Sequence, residues 1–161
     1  MTLFTGTLPT ITAGAKTPAT SFQSLSNALA ALNDTWTTYT PAWTASTTNP
    51  AIGNGTITGR YQRVGKTVSF WAYINCGSTT TYGSGNYRLT IPVAPAWTHI
   101  GGLSGFFLRS TTSYPLGAAV QSSGAVTRLW FGSGAAEWSP TVPATLAAGD
   151  FVVIGGTYEA A

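Results

Sequence analysis

The sequence predicts a mainly β protein, an antiparallel β-sandwich of jelly-roll-like character, preceded by an extended N-terminal arm and one short helix. Three observations predict it. Turn signals such as Asn54-Gly55, Val64-Gly65-Lys66, Gly83-Ser84-Gly85 and Gly149-Asp150 punctuate short runs from Tyr39 onward, with no helical pattern between them. Charged residues make up only 7% of the 161 residues, against about 25% in ordinary soluble domains, while aromatics reach 12%. A chain so poor in charge and rich in aromatic rings is expected to bury further area by self-association. Finally, Phe22, Leu25, Leu29, Leu32 and Trp36 step by three and four, the rhythm of a helix–helix seam.

Taken in order, residues 1–19 form the arm, residues 20–38 the helical segment, and residues 39–161 the β domain. The arm is rich in Thr, Pro and Gly and has no periodicity long enough to fold alone. Thr20 with Gln23 reads as a capping box opening a helix that runs to about Trp36. A helix of this length is marginal in water and must pack against something. It either lies across its own sheet or joins a short bundle. The narrow seam, surrounded by Gln23, Ser24, Ser26, Asn27 and Asn33, favours the bundle. Pro41 closes the segment.

Seven strands are then expected: Thr56–Arg63, Thr67–Cys76, Tyr87–Ile91, Ile100–Arg109, Leu116–Gln121, Ala125–Phe131 and Phe151–Tyr158. Tyr39–Thr44 makes an eighth. Gly101-Gly102 and Gly155-Gly156 suggest a bulge or a close backbone approach. In the second of these strands Val68, Phe70, Ala72 and Ile74 share one face, expected to fill the core. The opposite face carries Trp71 and Tyr73, which are expected to meet a neighbouring subunit or the helix.

Little in the chain suggests catalysis, and no enzymatic activity, cofactor or metal is expected. There is one His (His99), one Cys (Cys76) and four acids (Asp34, Glu137, Asp150, Glu159), too few for a triad or a zinc site. Glu137, beside Trp138, is the acid best placed to sit in a pocket, but a glycosidase needs a second carboxylate close by. Cys76 is expected to be a small buried hydrophobe. The bases Lys16, Arg60, Arg63, Lys66, Arg88, Arg109 and Arg128 are scattered, so no nucleic-acid partner is expected despite the net charge of +3. Neither a secretory signal nor a membrane-inserting stretch is evident. Binding is the more natural role for the aromatics. Trp43, Trp71, Trp97, Trp130 and Trp138, with Tyr73, Tyr82, Tyr87 and Tyr114, are either core and interface residues or stacking platforms for a sugar. The loops Ser78–Asn86 and Gly132–Ser139 are expected to expose Tyr82 and Trp138 as glycan-binding residues.

The segment from Trp36 to Pro95 carries Tyr39-Thr40-Pro41-Ala42-Trp43, Gly53-Asn54-Gly55-Thr56, Gly59-Arg60-Tyr61 and Val64-Gly65-Lys66-Thr67-Val68. With the ending Ala148-Gly149-Asp150 to Gly156-Thr157-Tyr158-Glu159, it resembles a module of tailed-bacteriophage virion proteins, found in minor tail proteins and tail fibres. The resemblance implies a homotrimeric β-sandwich knob on a phage particle, made in the host cytoplasm and often preceded by a short helical bundle. On that footing Phe22, Leu25, Leu29, Leu32, Trp36, Trp71 and Tyr73 are the expected oligomer interface. The expected role is attachment to the host surface, with a surface glycan as partner. The chain is short and lacks a long shaft, so the alternative is a trimeric capsid decoration protein. Residues 1–19 would then dock on other virion proteins.

Overall fold

The computed structural model describes residues 19–32, 36–97, 99–121, 126–131 and 136–161. The chain divides into two compact units, Met1–Trp36 and Thr37–Ala161. In the first, α1 spans Ala19–Leu32. The expected arm and the helix end at Asn33 and Asp34 lie outside the described residues. Thr20 and Gln23 do not form a capping box. The helix already includes Ala19, so Thr20 sits inside its first turn. Gln23 Nε2 instead donates to Asn27 Oδ1 (3.0 Å), and Ser24 Oγ donates back to the Thr20 carbonyl (2.9 Å). The helical segment was expected to reach residue 38, but Thr37 and Thr38 open a strand. Two consecutive β-branched residues followed by Tyr suit a pleated surface better than a helix.

The second unit contains β1 (Thr37–Tyr39), β2 (Trp43–Ala45), β3 (Thr56–Val64), β4 (Thr67–Asn75) and β5 (Tyr87–Thr90). It continues with β6 (His99–Arg109), β7 (Thr112–Gln121), β8 (Val126–Phe131), β9 (Ala136–Glu137) and β10 (Phe151–Glu159). All are antiparallel to their neighbours in one sheet of order β1-β3-β4-β10-β6-β7-β8-β5-β2, with β9 added on β8.

The expected single strand Tyr39–Thr44 is thus two strands at opposite ends of this order. Pro41 explains the break, because it has no N–H to give a ladder. The consequence is global. Laid flat, eight strand spacings would separate β1 from β2 by about 38 Å. The link through residues 40–42 lets Tyr39 and Trp43 lie at most roughly 14 Å apart. The sheet must therefore curl until its two edges approach. Ala42 N donates to Thr90 Oγ1 (2.8 Å) and Thr90 N to the Ala42 carbonyl (3.1 Å), which fixes the link to β5.

The inside of the curl is the core. In β4, Val68, Phe70, Ala72 and Ile74 point inward as expected. They meet Val152, Ile154 and Tyr158 of β10, Leu103 and Phe107 of β6, Leu116 of β7, and Leu129 and Phe131 of β8. At the β5 end, Trp43, Tyr87 and Trp138 cluster, the two indoles stacked at 5.8 Å. Two glycines matter for this packing. A Cβ at Gly59 would run into Cε1 of Tyr39, its partner in register, and the Tyr39 ring also meets Tyr61 edge-on at 5.9 Å. A Cβ at Gly155 would come 2.8 Å from the Phe70 carbonyl, so this glycine marks the close approach expected. Gly101-Gly102 coincides with the expected irregularity, a register shift between Ile100 and Leu103.

β7 begins four residues earlier than expected and includes Pro115. The proline is tolerated because β7 pairs only with β6 there; its pairing with β8 starts at Leu116. The loop expected at Gly132–Ser139 is also partly strand. Beyond residues 132–135, which lie outside the described residues, β9 returns along β8.

Candidate functional site

The seam read from the helix spacing is open to solvent. Phe22 and Leu29 are 61% and 58% exposed, Leu25 is 42% exposed and Trp36 lies near the same level. The side chain of Leu32 is outside the described residues. Large apolar side chains presented at one helical spacing are a surface that lowers its free energy by being covered.

A second apolar surface lies on the outer face of the sheet. Strand register places Trp71 opposite Gly155, Tyr73 opposite Val153, and Val153 opposite Phe106. The Tyr73 ring packs on Phe151 at 5.7 Å and Phe151 on Phe106 at 5.8 Å, so three rings form a ridge across β4, β10 and β6. Trp71, Tyr73 and Phe151 are half-buried, and Phe106 is exposed. The sequence singled out Trp71 and Tyr73 but missed Phe106 and Phe151. Their membership of the face follows from which strands pair, and the non-local order β4-β10-β6 is not encoded in any local pattern.

Of the expected glycan-binding residues, Trp138 is not available to a ligand. Trp138 is fully buried; it belongs to the core cluster and cannot present a ring to a ligand. Its backbone explains why: Trp138 N donates to the Leu129 carbonyl and Tyr87 N to the Trp138 carbonyl, both at 2.8 Å, so the residue is threaded between β8 and β5. Tyr82 is half-buried, its carbonyl accepting from the Tyr87 hydroxyl at 2.5 Å. Cys76 is buried, and burial, reinforced by nearby Asp150, pushes its thiol up to about 11. It is a packing residue and a poor nucleophile. Among the described aromatics, Trp97 is the most open at 69% exposure, its Nε1–H reaching Glu159 Oε2 at 3.3 Å.

Glu137 points outward where Trp138 points in, and it is the centre of the main polar constellation. Its Oε2 accepts from Asn86 Nδ2 (2.6 Å) and Arg128 Nη2 (2.8 Å); its Oε1 accepts from Arg128 Nε (2.9 Å) and from Arg88 Nη1. Arg128 in turn lies over the Trp130 ring, 5.4 Å from its centroid. The Glu137 side chain is 9% exposed. Burial alone would raise its carboxyl, but the Arg128 hydrogen bonds, the two guanidinium charges and Asn86 outweigh it and hold the group below its ordinary 4.5. An ionised, fully coordinated carboxylate is no proton donor at neutral pH. Asp150 is buried and accepts at Oδ2 from Ala147 N (2.8 Å) within its own turn. The His99 side chain lies outside the described residues.

This cluster has a testable consequence. A depressed carboxyl stabilises the fold at pH above its unfolded value, and that stability is lost as pH falls through the folded value. Glu137→Gln is expected to cost about 2–3 kcal/mol at neutral pH, moderated by the partial exposure of both arginines. Urea melts should show the gap between wild type and variant closing below pH 4.5. A gap independent of pH would contradict the ionised assignment.

Comparison with protein-family models, curated proteins and solved structures returns no match.

Proposed function

We propose that this chain is a non-enzymatic, homotrimeric structural protein of a tailed-bacteriophage virion, a tail-fibre or tail-tip knob that attaches to the host surface. The observation that carries the reading is the exposed seam Phe22, Leu25 and Leu29 on α1, an apolar surface at coiled-coil spacing. The curled antiparallel sheet suits the sandwich knob that the resemblance implies. Several motif residues behind that resemblance also have fold-specific jobs. Gly59 receives the ring of Tyr39, and Pro41 separates β1 from β2. Asn54 of Gly53-Asn54-Gly55 accepts from Thr79 N (3.0 Å) and donates to Ser78 Oγ (3.0 Å), joining the loops that enter and leave the β3–β4 hairpin at its open end. The Trp71–Tyr73–Phe151–Phe106 face fits a contact with a neighbouring subunit.

Labelling the protein on purified particles and counting its copies tests the assignment. A handful of copies at the tail tip is the expected result. Many copies spread over the head would establish the decoration role instead, and absence from the particle would end both readings.

A further inference from the structure

We infer that the outer face of β5 and β8 carries a binding site for an acidic sugar, with Trp130 as the stacking surface and Arg88 as the anion receptor. This rests on the surface-attachment reading above and names the class of glycan it would engage. Arg88 and Arg128 are direct register partners, an arrangement that two like charges disfavour unless something compensates. Glu137, register partner of Trp130, ion-pairs with both, so among the described residues one carboxylate faces two guanidiniums.

The two arginines are used differently. Arg128 presents its Nε/Nη2 edge to Glu137 and holds both carboxylate oxygens, the bidentate geometry in which guanidinium and carboxylate match. Arg88 spends only Nη1, which donates to Glu137 Oε1 and to the Tyr87 carbonyl (2.8 Å). Among the described residues its Nε and Nη2 have no partner, and the side chain is 22% exposed. The same edge that captures Glu137 on Arg128 is therefore open on Arg88, held in place by the bonds through Nη1.

Trp130 lies two residues from Arg128 on the same face, diagonal to Arg88, at a separation of roughly 7–8 Å that a pyranose ring spans. It is half-buried, and its partner on the β7 side is Gly117, which has no side chain to lay against that flank of the indole. Arg128 covers one face of the indole, 5.4 Å from its centroid, so the sugar stacks on the opposite face and places an equatorial carboxylate or phosphate on the Arg88 edge. Glu137, with its oxygens already taken by four donors, orients the receptor and does not touch the ligand.

The test is a titration of the purified full chain, followed by tryptophan fluorescence and calorimetry. Three probes serve: oligogalacturonate, its methyl ester, and a glycosylated poly(glycerol phosphate). Binding of oligogalacturonate or of the phosphate polymer is expected, the preferred one identifying the oxyanion, with the methyl ester weaker by about tenfold or more. Arg88→Lys keeps a cation beside Glu137 but removes the bidentate edge, and Trp130→Ala removes the platform, together with the ring under Arg128, while Asn86 and Arg88 still hold Glu137. Each is expected to weaken binding about tenfold while the thermal midpoint confirms folding. No binding of either acidic probe, or binding that both folded variants retain, overturns the site. The copy count on particles is independent of this result, so failure here leaves the virion assignment standing.

Discussion

Trp138→Ala is expected to destabilise the β unit by about 3–5 kcal/mol, the range for removing a fully buried indole. Trp138 is fully buried, stacks on Trp43 at 5.8 Å and meets Tyr87 edge-on at 4.6 Å. The cavity cannot collapse easily. Tyr87 is anchored by its hydroxyl to the Tyr82 carbonyl, and the Trp138 backbone is tied to both β8 and β5. The indole N–H of Trp138 is buried and has no partner among the described residues. Trp138→Phe therefore removes no hydrogen bond and keeps an aromatic surface, so it should cost far less than the alanine variant. Urea denaturation of the two variants checks the ordering. A loss under about 1 kcal/mol for alanine would show that this end of the core is not the tight cluster described.

Leu29→Asp is expected to leave the β unit folded and to split the proposed trimer. At a position 58% exposed in the single chain, a charge costs a monomer little, within about 0.5 kcal/mol for a surface substitution. In a trimeric bundle it puts three unpaired carboxylates into one buried layer, at several kcal/mol. The contrast between an unchanged β-sheet circular dichroism signal and a lost oligomer separates assembly from folding. Loss of both together would instead mean that the helix stabilises its own sheet.

Much of the β unit was legible because it is written locally. Period-two alternation identified β4 and its inward set, and turn chemistry bounded β3, β6 and β10 to within a residue or so. What was not legible is what depends on partners distant in sequence. The split of Tyr39–Thr44 becomes meaningful only when β1 pairs with β3 and β2 with β5. Pro115 has no N–H to give a ladder, and the one-sided pairing of that stretch of β7 is what permits it inside a strand. The same limit explains the candidate sites. Glu137 and Trp138 are adjacent, and sequence alone could not say which turned outward; backbone bonds to Leu129 and Tyr87 decide it. Arg88 and Arg128 are 40 residues apart and looked scattered, yet register makes them neighbours.

Native mass spectrometry of the full chain at micromolar concentration tests the central claim most directly. The account predicts one dominant species of three chains, each of 16.7 kDa, that Leu29→Asp reduces to one. A stable 16.7 kDa monomer in the wild type would contradict it.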